Sequence, residues 1–76
     1  NKAYYKKLFA DYPDIVDVVI FRQMLGGIGN NFARKIILEN KVAHLVVGRS
    51  FVIPKICVIN YVLSKDYAGR RLKVKV

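Results

Sequence analysis

The sequence predicts a small mixed domain, mainly α-helical with one β-hairpin, and three observations carry that prediction. Apolar residues recur at helical spacing in several separate segments. The pattern then changes to that of strands between Val42 and Ile53, and glycine, asparagine and proline fall where elements should stop. A chain of 76 residues, 54% hydrophobic and 25% charged, has enough apolar surface for one core and none to spare for a second. Residues 1–76 are therefore read as one domain.

The opening "NKAYYKKLFADYPD" gathers Tyr4, Tyr5, Leu8 and Phe9 along one side of a short amphipathic helix that Pro13 halts, giving an N-terminal helical extension over residues 1–13. Asp17 has the side chain of an N-cap, with an oxygen that can accept a backbone N–H of the segment "VVIFRQML". Val18, Phe21 and Leu25 share one face of that helix, and Gly26 and Gly27 end it. After the turn, Asn30 or Asn31 caps a further helix, "FARKIILE", with Ala33, Ile36 and Ile37 facing inward and Asn40 as its stop. Two short helices joined through glycine are the layout of a helix-turn-helix.

From Val42 the segments "VAHLVV" and "FVI" read as the two strands of a hairpin. A three-residue loop of Gly48, Arg49 and Ser50 sets Val47 opposite Phe51 and Leu45 opposite Ile53 on one face, with Val46 opposite Val52 on the other. Pro54 suits the first turn of a final helix, "PKICVINYVLSKD", buried through Val58, Tyr61 and Val62. Residues 66–76 form a basic tail: "RRLKVKV" alternates as a strand would, and a flexible arm fits it equally well.

Charge narrows the function. There are 14 Lys+Arg against 5 Asp+Glu, a formal net charge of +9 and a pI near 10.0. Acids are absent between Glu39 and Asp66, while Lys41, Arg49, Lys55 and Lys65 fall there and Arg70, Arg71, Lys73 and Lys75 follow. Positive charge concentrated in this way points to a polyanionic partner. A single cysteine, Cys57, rules out an intrachain disulfide and favours a cytosolic setting. No signal peptide is visible, the apolar runs are far shorter than the ~18–20 residues of a membrane span, and the basic residues are not aligned along an amphipathic helix.

Catalytic schemes find no support. "LGGIGNNFARKIILENK" contains neither G-x-G-x-x-G nor a Walker loop, and the sequence has no Thr. His44 is the only histidine and Cys57 the only thiol, too few for a Cys/His zinc cluster or a triad. Asp11, Asp14 and Asp17 surround Pro13 as turn and cap residues. The reading is a protein without enzymatic activity, metal or cofactor. Asn30, Asn31, Arg34 and Lys35, at the start of the second helix of the pair, have side chains suited to a major groove, and Arg49 and Ser50 at the hairpin tip suit the phosphate backbone.

With its elements in this order, the sequence resembles the excisionase-type winged helix-turn-helix domains, relatives of the MerR-like DNA-binding modules. The resemblance runs from about Asp14 to Leu63, through "YPDIVDV", "LGGIGNNFARKII", "ENKV" and, most specifically, "VVGRSFVIPK". It implies a winged helix-turn-helix fold and a small protein of bacterial, phage or mobile-element origin that binds double-stranded DNA for site-specific excision or transcription regulation. The helix beginning near Asn30 then enters the major groove, and the hairpin is the wing. Lys41 and Lys55 join Arg49 and Ser50 on the backbone, and the cations of the tail add affinity.

The sequence also departs from the family. The turn is one residue longer, Phe32 stands where a small hydroxyl residue is common, and Val19, Ile20, Leu38, Val46 and Val52 replace polar or charged residues. Val46 and Val52, paired on the outer face of the wing, together with Val19 and Ile20, suggest self-association or docking on an integrase or recombinase. Two other readings stay open: a protein-interaction adaptor on the same scaffold, and an RNA-binding module that stacks bases on Tyr4, Tyr5 and Phe9.

Overall fold

Among the described residues, four helices form where the apolar spacing places them, a fifth follows at the start of the expected tail, and short strands tie them together. The computed structural model describes residues 1–70, which form five helices and a three-stranded antiparallel sheet, an α+β domain. None of these helices is long and apolar enough to cross a membrane.

Helix α1 (Lys2–Leu8) starts at Asn1, whose side-chain oxygen accepts the Tyr4 N–H at 2.8 Å. It stops five residues short of Pro13, because the chain turns at Phe9 and the N–H groups of Ala10 and Tyr12 bond back to the carbonyls of Lys7 and Phe9. Helix α1 itself buries no residue and packs on α4 (Lys55–Val62), while Phe9, just past its end, is 1% exposed and belongs to the core.

Strand β1 (Ile15–Val16) was not foreseen, since two residues are too short to show a period. It pairs with β3 (Ser50–Pro54), setting the buried Val16 opposite the buried Ile53. Asp17 then caps α2 (Val18–Met24) as expected, accepting the Ile20 N–H at 2.9 Å. Phe21 and Leu25 are buried as read, and so is Met24. Gly26 and Gly27 have φ of 88° and 83° and return their N–H groups to Gln23 and Arg22, the paired bonds of a Schellman stop.

Helix α3 (Asn30–Leu38) has Gly29, not an asparagine, at its N-cap; Asn30 and Asn31 lie inside its first turn. Glycine reaches the extended cap conformation without a side-chain acceptor, which leaves both amide side chains outside the capping interaction. Ala33, Ile36 and Ile37 are fully buried against α2 and the core, as their spacing requires. Asn40 ends the helix at φ 58°, with the Lys41 N–H on the Ile36 carbonyl.

The hairpin is tighter than the sequence reading. Strand β2 (Leu45–Val47) meets β3 through a two-residue loop, Gly48 and Arg49, so Leu45 pairs with Val52, Val46 with Phe51 and Val47 with Ser50. Gly48 at φ 60° supplies the positive φ that such a loop needs at its first position. The shift of one residue exchanges the faces of β2 relative to β3. Val46 and Val52 are therefore not partners: Val46 shares a face with Phe51 and Ile53, while Val52 lies with Leu45 and Val47. The sheet order β1-β3-β2 leaves β2 at the edge, where Leu45, Val46 and Val47 are each 62–63% exposed.

Pro54 ends β3 and serves as the N-cap of α4 rather than as its first residue. The expected single final helix is two. Helix α4 buries Val58, Tyr61 and Val62, with Ile59 beside them, and stops at Leu63; Ser64 then caps α5 (Lys65–Gly69) by accepting the Tyr67 N–H. Residues 66–70 thus belong to the folded body. Arg70 donates to Asp66 at 2.7 Å and to Glu39 at 3.1 Å and lies over the Phe32 ring, while the Tyr61 hydroxyl donates to the same Asp66 oxygen at 2.8 Å. The remaining tail residues Arg71, Lys73 and Lys75 lie outside the described residues.

Candidate nucleic-acid interface

The turn between α2 and α3 sets the position of the predicted reading helix. Its Schellman stop fixes the exit from α2, and the Arg22 guanidinium reaches across from α2 to donate to the Ile28 carbonyl at 2.8 Å. Arg22 carries no charge-reading role in the sequence pattern; here it braces the turn. Residues four apart on a helix share a face. Asn30 and Arg34 therefore form one stripe of α3, and Asn31 and Lys35 the neighbouring one; all four are exposed.

The tight hairpin brings its tip against the first of these stripes. Asn30 and Arg34 from α3, with Arg49 and Ser50 from the hairpin, line one open groove of about 250 Å³. Its remaining wall is Asp17, Val18 and Val19 at the start of α2, together with Phe51. Asp17 is the only carboxylate lining it, and one of its oxygens is occupied by the Ile20 N–H. Two guanidinium groups, one amide and one hydroxyl in a shared concavity can meet phosphate oxygens and donor or acceptor edges together.

Phe51 adds an interaction absent from the sequence reading. The Arg34 guanidinium carbon stands 5.2 Å from the Phe51 ring centroid, within cation–π range. His44 meets the same ring edge-on, with centroids 5.5 Å apart and planes at 81°, and its Nδ1 lies 2.9 Å from the Val42 carbonyl. Arg34 and Phe51 are too far apart in sequence for any local periodicity to couple them.

The other expected contacts are dispersed. Asn31 and Lys35 are exposed on α3 but do not line the groove. Lys41 lies past the far end of α3, near enough to Asp66 to help lower that carboxyl's pKa. Lys55 is engaged: its ammonium donates to the Tyr12 carbonyl at 2.9 Å, stands 3.6 Å from an Asp14 oxygen, and is 17% exposed. It fastens the segment before β1 onto α4, beside a second cavity of about 380 Å³ that it lines with Lys6, Asp14, Ile56 and Ile59. Of the expected protein-contact residues, Val19 is 56% and Val46 62% exposed, whereas Ile20 and Val52 are half-buried.

The aromatic platform needed for stacking bases is also partly consumed. Phe9 is buried, and Tyr5 stacks on it with ring centroids 5.9 Å apart; Tyr4 is exposed. Among the described residues, no group of three or more His, Cys, Asp or Glu comes together in a metal-holding arrangement. No protein-family model matches the chain, and neither a curated protein nor a solved structure matches it.

Proposed function

We propose that this protein is a sequence-specific double-stranded DNA-binding protein with a winged helix-turn-helix architecture of the excisionase-like type. In this reading α3 lies in the major groove, the hairpin is the wing on the adjacent backbone, and the role is site-specific recombination or transcription regulation. The observation that carries the reading is the groove in which Asn30 and Arg34 of α3 converge with Arg49 and Ser50 of the hairpin. Supporting it are the succession of β1, α2, turn, α3 and hairpin, the sheet order β1-β3-β2, and the net charge of +9. Asn and Arg side chains at the N-terminal end of a groove-bound helix match the donor and acceptor edges of adenine and guanine, while Arg49 and Ser50 meet phosphates.

Fluorescence anisotropy on a pool of duplex fragments, repeated across salt, tests this. A preferred fragment should emerge, and Arg34→Ala combined with Asn30→Ala should erase the preference; uniform binding that the variants leave unchanged overturns the proposal.

A second reading, an adaptor that docks on a recombinase or on another copy, draws on the exposed Leu45, Val46 and Val47 at the sheet edge. Sedimentation of the protein with and without DNA, beside Leu45→Lys and Val47→Lys, separates the two. Association lost in the variants while duplex preference persists assigns β2 to protein contacts.

A further inference from the structure

The groove contains one base-reading candidate whose geometry is set before any ligand arrives. Arginine ordinarily loses considerable rotamer freedom when it is fixed on a partner, so a guanidinium already held in place has less to lose on binding. Arg34 is exposed on α3, yet its guanidinium rests against the Phe51 ring at 5.2 Å. Phe51 is in turn held from two sides. Its backbone pairs with Val46 in the hairpin, and the His44 ring packs against it in a T-shaped arrangement with centroids 5.5 Å apart, with His44 tied to the Val42 carbonyl. A continuous path of contacts therefore runs from the backbone at Val42 through His44 and Phe51 to Arg34.

We infer that Phe51 is the positioning residue for sequence discrimination: it presents the Arg34 guanidinium to a guanine edge in the major groove and couples the reading helix to the hairpin. This rests on the DNA-binding reading and deepens it. A guanidinium carries five N–H donors, so a contact with a ring face still leaves donors for a bidentate contact to guanine O6 and N7. Phe51 acts on base readout through Arg34. Its loss should therefore weaken discrimination by a larger factor than it weakens binding to other duplexes.

The test begins with the free protein. Ring current from Phe51 should shift the Arg34 side-chain protons upfield in the NMR spectrum of the wild type, and Phe51→Leu should remove that shift. Binding is then measured on the preferred duplex and on one with its guanine contact replaced. Phe51→Leu should reduce the ratio of the two affinities by about 3- to 10-fold, with the salt dependence unchanged and Phe51→Tyr restoring the ratio. In an Arg34→Ala background, Phe51→Leu should have no further effect on the ratio. Absence of the upfield shift in the wild type overturns the inference irrespective of how the variant folds. So does a Phe51→Leu protein that melts cooperatively and keeps full discrimination. Those outcomes leave DNA binding standing, whereas a wild type with no preferred duplex removes the DNA reading itself.

Discussion

Arg34 and Arg49 line the same groove but should answer to different measurements, because one projects from a helix and the other from a hairpin tip. Under the proposed DNA-binding reading, Arg34→Ala should cost about 1–3 kcal/mol on a preferred duplex and much less on others, as loss of a base contact does. Arg49→Ala should weaken every duplex alike and make the log-log salt slope shallower by about 0.9, the signature of one lost phosphate contact. Anisotropy titrations at several salt concentrations check both. Asn30, Arg34, Arg49 and Ser50 stand out in the sequence by residue type, and the fold brings them to one groove. That Lys55 is withdrawn into a bond with Tyr12 was not legible there, because a lysine that binds phosphate and one that fastens a loop look alike until the loop's position is known.

At the scale of elements, each stop signal marks a place where the backbone needs a particular conformation. Gly27 has φ 83° and open space where a Cβ would lie, so Gly27→Ala should be destabilising by about 1–2 kcal/mol through backbone strain alone. Asp17→Ala should remove the α2 cap and be destabilising by about 1 kcal/mol. Urea denaturation of each variant gives these values. The Asp17 cap and the stops at Gly26, Gly27 and Asn40 were readable in advance because they depend on one residue's own conformational preferences, whereas the Gly29 cap of α3 and the break at Leu63 were not. The hairpin register depended instead on whether Ser50 joined the loop or the strand, and neither its residue type nor the flanking apolar run distinguishes the two. A single residue in that choice moved Val46 and Val52 to opposite faces and dissolved the patch they were expected to form.

For the whole molecule, the network around Asp66 joins three helices, since Tyr61 belongs to α4, Asp66 to α5, and Arg70 bridges from α5 to Glu39 at the end of α3. The hydrogen bond from Arg70 holds the Asp66 carboxyl below its ordinary pKa, against a smaller opposing effect of burial. The unfolded chain therefore takes up this proton first as the solution is acidified. The stabilisation is complete above the ordinary carboxylate range and is lost as pH falls through the lower folded value. Tyr61 has the opposite sign: burial first, and then the bond to Asp66, raise its pKa above the usual 10.0. That contribution is present below the usual value and is lost as pH rises toward the folded one. Thermal melts from about pH 2 to about pH 11 should show stability falling at both ends, with Asp66→Asn flattening the acid limb and Tyr61→Phe the alkaline limb.

The sequence by itself determined the order of helices and hairpin, the inward faces Ala33-Ile36-Ile37 and Val58-Tyr61-Val62, and the stops at Gly26, Gly27 and Asn40. Each follows from periodicity or from local conformational energy, which act over a few neighbouring residues. Tertiary structure alone decided the pairing of β1 with β3, the burial of Phe9 and the engagement of Lys55 and Arg70. It also decided the placement of the Arg34 guanidinium over the Phe51 ring. Those contacts join residues far apart along the chain, and they form only when burial of the shared core has already brought their elements together.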